Sequence, residues 1–382
     1  MTSLSSCINA AVLCLAVASV AGAAAAPITV YVGTYTDGKS KGIYRFSLDL
    51  ETGKATAPVL AGAAKNPSFL ALHPSGRYLY AVSEIDSFGG AATGSVIAFA
   101  IDPKTGDLTK LDEVASGGTG PCHLSVDKEG KNVLVANYGG GTVAVLPIGP
   151  DGRLKQASSV RVHEGKGKDA SRQDKPHAHG IYLDAAERFA LAPDLGADRV
   201  FVYAYDAQKG TLEPHGAGVL EPGSGPRHLA FHPSGRYAYV IDELDSTITA
   251  FGYDAAKGEL TPLQRLSALP QGFGGTSYTA EIEVSPDGRF VYGSNRGHDS
   301  LAVFRVNAVS GRLTAAGHVP IGGSWPRHFK IEASGRVLIA AHQRGGTVGF
   351  FRLDPKTGEP SPLGSTVAID QPACVLPVPA RR

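Results

Sequence analysis

Short apolar runs separated by turn-forming residues recur along the chain and predict pairs of antiparallel strands. In the stretch GPRHLAFHPSGRYAYVIDELDS, Gly225 to Ser246, two such runs flank a Pro-Ser-Gly sequence that favours a turn. Similar hairpins begin at Asn66, Gly120, His177, Tyr278 and Trp325. The chain of 382 residues contains 48 Gly and 25 Pro, which agrees with many turns and few long helices.

A second repeated feature, an acidic or polar residue followed within a few positions by glycine, closes each unit. It occurs seven times, at Gly53, Gly106, Gly152, Gly210, Gly258, Gly311 and Gly358. One unit is divided: the segment from Gln371 reads as a first strand, and the segment from Ile28 reads as a second and third strand. Repeats of roughly 40–50 residues that close into a ring are typical of a β-propeller. We therefore predict an all-β fold, a single seven-bladed propeller over residues 27–382 with four antiparallel strands per blade, closed by pairing of the two terminal segments.

The N-terminal segment differs in kind from the repeats. From Ile8 to Ala26 it is apolar and ends in small residues before Pro27, which is typical of an export signal, although no Lys or Arg precedes it. A transmembrane anchor fits less well, because a span needs about 20 strongly apolar residues and this run is mostly Ala and Ser towards its end. We expect residues 1–26 to be removed, leaving a periplasmic or secreted protein that is not attached to a membrane.

Composition excludes several kinds of partner. The chain has 36 Lys and Arg against 35 Asp and Glu, a formal net charge of +1, and no basic stripe that would favour nucleic acid. Cys7 and Cys14 lie in the expected signal, whereas Cys122 and Cys374 are too isolated for a metal site or a disulfide framework and read as buried thiols. We expect a monomer that binds a small molecule.

Two sets of positions are expected to meet at one mouth of the central channel. In a blade, the innermost strand and the next strand are antiparallel, so the start of the first lies beside the end of the second. The aligned second strands end at Tyr35, Glu84, Tyr138, Leu195, Glu243, Arg296 and Gln343. The aligned first strands begin with His123, His179, Arg227, His228, Glu281, Arg327 and His328. These residues change from blade to blade, as an asymmetric ligand requires, so we predict a substrate site there.

A long polar connection interrupts the regular array at residues 163–180. Long loops in compact domains are commonly functional. Because this one ends in His177 and His179, we predict that it forms a lid that carries Arg172 and Gln173 over the site.

The chemistry available at such a mouth is acid–base catalysis and anion binding. No serine-hydrolase, zinc-protease or phosphate-loop motif occurs in a supporting context. Arginine binds carboxylate or phosphate and stabilises a developing oxyanion, and a nearby Glu or His moves a proton. Glu84, Glu243 and Glu281 show no metal-ligand spacing with the histidines, so we expect no metal and no other cofactor.

The segments PHAHG, GPRHLAFHPSGRYAYVIDELDSTITAF, AEIEVSPDGRFVYGSNRGHDSLAVF and WPRHF resemble the seven-bladed propeller lactonases, a group that includes bacterial 6-phosphogluconolactonase and fungal 3-carboxy-cis,cis-muconate lactonizing enzyme. The resemblance extends in register from about Pro27 to the C-terminus. It implies that the catalytic residues are His179, Arg227, Glu243 and Arg296, all of which belong to the predicted mouth.

Three functions remain open at this point. The first is hydrolysis of a sugar-derived or related lactone, with Glu243 or His179 activating water and Arg227 and Arg296 holding the carbonyl oxygen and an anionic or hydroxylated substrate. The second is lactonisation of an unsaturated dicarboxylate held by the same arginines. The third is a binding propeller without chemistry, since fold does not fix function. Arg227 is expected to keep Glu243 ionised, whereas His179 has the better-placed intrinsic pKa for a base.

Overall fold

The computed structural model describes Thr2 and residues 26–378. Apart from Thr2 and Ala26, the predicted export signal therefore lies outside the described part of the chain. Within that part there is no helix long and apolar enough to cross a membrane. The described chain folds into seven antiparallel sheets, each formed by consecutive strands with one exception.

The strands follow one another blade by blade. Blade 1 contains β1 (Ile28–Thr34), β2 (Gly42–Leu48) and β3 (Val59–Ala63). Blades 2 and 3 contain β4 (Leu70–Leu72), β5 (Tyr78–Ser83), β6 (Ser95–Ile101), β7 (Leu108–Ala115), β8 (Pro121–Val126), β9 (Asn132–Asn137), β10 (Thr142–Pro147) and β11 (Ser159–Val162). Blades 4 and 5 contain β12 (Tyr182–Leu183), β13 (Phe189–Asp194), β14 (Arg199–Asp206), β15 (Thr211–Val219), β16 (Pro226–Phe231), β17 (Tyr237–Asp242), β18 (Thr247–Asp254) and β19 (Glu259–Ser267). Blades 6 and 7 contain β20 (Tyr278–Val284), β21 (Phe290–Arg296), β22 (Ser300–Val306), β23 (Leu313–Pro320), β24 (Pro326–Ile331), β25 (Val337–His342), β26 (Thr347–Leu353), β27 (Pro360–Pro362) and β28 (Val367–Ala368).

The exception is the last strand, which closes the ring. β29 (Pro372–Val378) pairs antiparallel with β1, from Thr29 opposite Val378 to Thr34 opposite Pro372. The sheet order of blade 1 is therefore β29-β1-β2-β3, with the C-terminal strand innermost. This arrangement confirms the predicted seven-bladed propeller and its closure by the two terminal segments.

The hydrophobic core lies between neighbouring blades. Each of the seven blade interfaces is filled by its own cluster of buried apolar side chains. Because an inner strand is covered on both faces, its residues are buried without alternation and are mostly apolar, as in β17, whose six residues Tyr237–Asp242 are all buried. The short continuous runs in the sequence are thus explained by burial on two sides.

The repeated glycine turns connect the third and fourth strands at one end of each blade. All seven glycines have positive φ, between 63° and 82°. At Gly258 an added Cβ would lie 2.6 Å from the ring of Phe189 in the preceding blade, and Asp254 accepts hydrogen bonds from the backbone N–H groups of Ala256 and Lys257. Glycine is therefore required both for the left-handed backbone and for the close approach of the preceding blade.

Candidate active site at the channel mouth

Strand pairing in blade 5 brings a buried cation and a buried anion together. Pro226 of β16 lies opposite Asp242 of β17, so the residues that follow them, Arg227 and Glu243, meet at the same end of the hairpin. Arg227 Nε donates a hydrogen bond to Glu243 Oε2 over 3.1 Å. Both side chains are almost completely buried, as expected for charges that stabilise each other away from water.

An irregularity in strand pairing directs successive inner-strand residues to different parts of the channel. In five blades the register shifts near the start of the inner strand, and in three of these the unpaired residue is Cys122, Arg227 or Arg327. A bulged residue is left unpaired and its side chain is re-aimed. Cys122 and Arg327 line one cavity, whereas His123 and His328, one position later, line another.

The first cavity, here called the mouth cavity, has a volume of about 430 Å³, which suits a small molecule. Its wall is formed by Glu84, Cys122, Tyr138, Arg172, His179, Glu243, Tyr278, Arg296, Trp325, Arg327, Gln343 and Arg344. Eight of the residues predicted for the mouth are among them, and Arg227 lies directly beside Glu243. Leu195, from the same register in blade 4, is fully buried and does not line it.

Three arginines surround the carboxylate of Glu243. Arg172 Nη2 donates to Oε1 over 2.8 Å, and Arg296 Nη2 lies 2.8 Å from Oε2, which also accepts from Arg227. Burial alone would raise the pKa of Glu243, but Arg296, Arg227 and Arg172 outweigh it and lower the pKa to about 2. The carboxylate is therefore ionised at neutral pH, and both of its oxygens are engaged.

A second polar cluster surrounds Arg327 on the other side of the cavity. Arg327 Nη2 donates to Tyr35 Oη over 2.6 Å, and Tyr35 Oη donates to Glu84 over 2.9 Å. Glu84 also accepts a hydrogen bond from Ser68. Two carboxylates, Glu84 and Glu243, thus face a larger set of cations, namely Arg172, Arg227, Arg296, Arg327 and Arg344. The wall of the mouth cavity therefore carries an excess of two positive charges, and buried Arg227 beside Glu243 adds a third.

The long loop delivers Arg172 to this cavity. Besides Glu243, Arg172 Nη2 reaches Tyr138 Oη at 3.3 Å. Gln173 was predicted to face the site with Arg172, but it is buried and donates instead to Leu195 O and to Asp198. Its amide binds the loop to blade 4, because a buried amide needs its hydrogen-bonding partners within the protein.

His179 lies in the wall of the mouth cavity as a neutral imidazole. Burial, followed by the nearby charge of Arg227, lowers its pKa well below the usual value. Its Nδ1 is 3.7 Å from the Cys122 thiol, and its Nε2 forms no hydrogen bond with any described residue. The Nε2 atom is therefore available to a water molecule or a substrate.

Four residues that were predicted to line the mouth lie elsewhere. His123, Glu281 and His328 line a second space of about 520 Å³, here called the channel cavity, which is formed by the inner strands farther from the mouth. His228 is buried beside it, with its Nδ1 3.0 Å from Glu281 Oε2. Their sequence positions predict them at the mouth, but irregular pairing near the starts of the inner strands turns their side chains away from it. In the described part of the chain, no group of three or more His, Cys, Asp or Glu side chains is arranged to hold a metal ion.

His177 supports the wall of the mouth cavity from behind. Its ring stacks on Tyr138 with centroids 4.5 Å apart, and its Nδ1 donates to the Tyr138 carbonyl oxygen over 3.0 Å. His177 therefore contacts the wall residue Tyr138 but does not itself line the mouth cavity.

Four wall residues were not predicted for the site from the sequence. Cys122 was expected only as a buried thiol. Tyr278 and Trp325 immediately precede Thr279 and Pro326 near the starts of two inner strands, and Arg344 follows Gln343. Arg344 packs over the ring of Trp325, with its guanidinium carbon 3.4 Å from the centroid. Extending the register of the second strands by one position would have found Arg344.

The fold and the site together define a seven-bladed β-propeller with a cation-rich, small-molecule cavity at one mouth of its channel. Residues 29–377 match the family model described as lactonase, seven-bladed beta-propeller. The chain belongs to this family, and it is a lactonase that acts on a small molecule.

Individual relatives agree with this assignment over nearly their whole length. The chain is 41% identical to the 6-phosphogluconolactonase of Bacillus subtilis (strain 168) over 345 residues, which cover 90% of this chain and 97% of that protein. A periplasmic gluconolactonase of Pseudomonas aeruginosa, PpgL, superposes with a TM-score of 0.86 at 33% identity and 92% and 99% coverage. A putative 6-phosphogluconolactonase of Bacteroides fragilis gives a TM-score of 0.85 at 34% identity and 92% and 98% coverage.

Proposed function

We propose that the mouth cavity hydrolyses a sugar-derived lactone that carries a carboxylate or phosphate group. The observation that carries this proposal is the excess of arginine over carboxylate in the cavity wall. Arginine provides planar pairs of N–H donors for carboxylate and phosphate, and in a partly buried site its charge is weakly screened. The B. subtilis relative is named for a phosphorylated lactone and PpgL for gluconolactone, so family membership leaves the charge of the substrate open.

In the proposed reaction, Arg227 and Arg296 hold the carbonyl oxygen of the lactone. Neither Arg227 Nη2 nor Arg296 Nη1 forms a hydrogen bond with any described residue, so both groups can donate to the oxygen as it becomes negative. Glu243 fixes the two guanidinium groups by binding their other nitrogen atoms. Its contribution is to orient the arginines, because both of its oxygens are already engaged by guanidinium groups and neither is free to take a proton from water.

His179 is the group we assign to proton transfer. Its free Nε2 takes a proton from a water molecule as the water oxygen bonds to the lactone carbonyl carbon, giving a tetrahedral oxyanion. The oxyanion then re-forms the carbonyl and breaks the ring carbon–oxygen bond, and the ring oxygen receives a proton from the imidazolium. The product is an open-chain hydroxy acid, which ionises to a carboxylate and a proton.

Arg344 is expected to bind the anionic group of the substrate. It is exposed at the rim, lies over Trp325 and forms no ion pair with a described carboxylate. Arg344→Met should therefore raise KM roughly tenfold for glucarolactone, which carries a carboxylate, and change KM by less than about twofold for gluconolactone, its uncharged counterpart. Initial rates of proton release measure both values, with phosphorylated gluconolactone as a second anionic substrate.

Arg312→Met is the matched control for that experiment, because Arg312 is exposed, forms no side-chain ion pair in the described part of the chain and is absent from the mouth cavity. Equal effects of Arg344→Met on charged and uncharged lactones would contradict the proposed anion specificity while leaving lactone hydrolysis intact.

We also propose that the protein acts outside the cytoplasm. The support is the signal-like composition of residues 8–26 and the likeness to PpgL, which is described as periplasmic. Mass spectrometry of the protein from its native host should find a first residue near Pro27. A retained Met1 or Thr2 would contradict export with cleavage.

A further inference from the structure

A continuous line of hydrogen bonds connects Arg227 at the mouth cavity with the wall of the channel cavity. Arg227 Nη1 donates to Ala280 O over 2.6 Å and lies 3.1 Å from His228 Nε2. His228 Nδ1 is 3.0 Å from Glu281 Oε2, and His328 Nε2 is 3.2 Å from the same oxygen. All of these side chains are buried, so bulk water does not replace a lost partner.

The donor pattern fixes the tautomer of His228. A guanidinium group has only N–H donors, so His228 Nε2 must present its lone pair to Arg227. The single ring proton of neutral His228 then lies on Nδ1 and is donated to Glu281. Burial, followed by the charges of Arg227 and Arg327, lowers the pKa of His228 well below its usual value and keeps the ring neutral.

Glu281 acts only as an acceptor in this arrangement. Its Oε2 faces the His228 and His328 rings, and its Oε1 accepts the backbone N–H of Ile282 over 3.0 Å. His328 can donate from Nε2 because its Nδ1 accepts the backbone N–H of Val375 over 3.3 Å. A carboxylate accepts from His228 and from the Ile282 N–H and can also accept from the nearby His328 Nε2, whereas an amide would turn its own N–H₂ group towards at least one of these donors.

We propose that His228 and Glu281 are positioning residues for Arg227 in the lactone hydrolysis proposed above, on which this inference rests. Glu281 holds the proton of His228 on Nδ1, and the bare Nε2 then holds Arg227 Nη1 in place. With the other tautomer, an N–H group would face the guanidinium, and Arg227 would move from the position in which its Nη2 reaches the substrate oxygen. Neither residue contacts the substrate.

Substitutions of His228 separate this role from simple packing. A Gln side chain can place its carbonyl oxygen near the position of Nε2, whereas an Asn side chain is shorter and leaves Arg227 without that acceptor. We expect His228→Gln to retain kcat within about threefold, and His228→Asn and Glu281→Gln to lower kcat by roughly ten- to a hundredfold with KM nearly unchanged. Glu283→Gln is the matched control, because Glu283 lines the same channel cavity but pairs with Lys330.

A double-mutant cycle tests whether Glu281 acts through Arg227. If it does, Glu281→Gln should change kcat by less than about twofold in an Arg227→Met background, because the group to be positioned is absent. Equal losses with and without Arg227, or equal kcat for His228→Gln and His228→Asn in folded protein, would overturn the proposal.

A readout that needs no substrate keeps this inference separate from the proposed function. Nitrogen-15 NMR of the histidine-labelled wild-type protein, with His228 assigned by the loss of its signals in His228→Asn, should show a proton on Nδ1 and none on Nε2. Glu281→Gln should shift the proton towards Nε2. A wild-type His228 that carries its proton on Nε2 would overturn the positioning role even in an active lactonase, whereas the expected spectrum in a protein that hydrolyses no lactone would reject only the proposed function.

Discussion

Glu243→Gln is expected to lower kcat by at least about a hundredfold and to reduce the free energy of unfolding by roughly 3 kcal/mol. The amide cannot neutralise Arg172, Arg227 and Arg296, which contact the carboxylate at 2.8, 3.1 and 2.8 Å. The buried cations would repel one another and leave the positions from which they hold the substrate. Turnover assays and denaturant titration of the same preparation measure the two effects.

The destabilisation should depend on pH in a defined direction. The pKa of Glu243 is lowered from 4.5 to about 2 in the folded protein, so its stabilising contribution is fully present above about pH 4.5 and is lost as the pH falls towards 2. The difference in stability between wild type and Glu243→Gln should therefore narrow over that interval.

Glu51→Gln provides the matched control for Glu243→Gln. Glu51 also faces two arginines, Arg336 and Arg352, but all three side chains are partly or largely exposed to solvent. Loss of the Glu51 charge should therefore lower the free energy of unfolding by less than about 1 kcal/mol. If both variants lose the same small amount of stability, the ion pairs between Glu243 and the buried arginines do not contribute roughly 3 kcal/mol to the free energy of unfolding.

His179→Asn is expected to lower kcat by roughly a hundredfold or more, with KM and the melting temperature nearly unchanged. Asparagine is close to the imidazole in size but cannot accept and return a proton. Because the pKa of His179 lies well below its usual value, the wild-type kcat should fall on the acid side only well below pH 6.5. His73→Asn is the control, since His73 hydrogen-bonds to Ser75 and Gly130 and lies outside both cavities. Near wild-type turnover by His179→Asn would return the role of base to Glu243.

The sequence predicts the ring and its closure because both follow from local patterns. The turn glycines repeat for a steric reason that is the same in every blade, and the half-units at Ile28 and Gln371 complement each other. The pairing of Arg227 with Glu243 is also predictable, since antiparallel pairing alone places the two ends of a hairpin side by side.

The division of the predicted residues between two cavities could not be predicted from the same register. It depends on irregular pairing near the starts of the inner strands, at Cys122, Arg227 and Arg327 and between Thr279 and Ile282, which the pattern of apolar and polar positions does not predict. The orientation of the Gln173 side chain could not be predicted from the sequence either, because it depends on hydrogen-bonding partners in blade 4 that are distant in sequence. Local periodicity identifies the strand ends, whereas tertiary contacts decide which way each side chain points.

The most direct test of lactone hydrolysis at the mouth cavity is the fate of oxygen from ¹⁸O-labelled water. Wild-type protein incubated with glucarolactone or phosphorylated gluconolactone, with a chelator present, should form the hydroxy acid faster than the uncatalysed reaction. Mass spectrometry should find one labelled oxygen in its carboxylate, because water attacks the carbonyl carbon. Rates equal to the uncatalysed reaction for a full panel of lactones, or catalysed product without label in its carboxylate, would contradict the proposed hydrolysis.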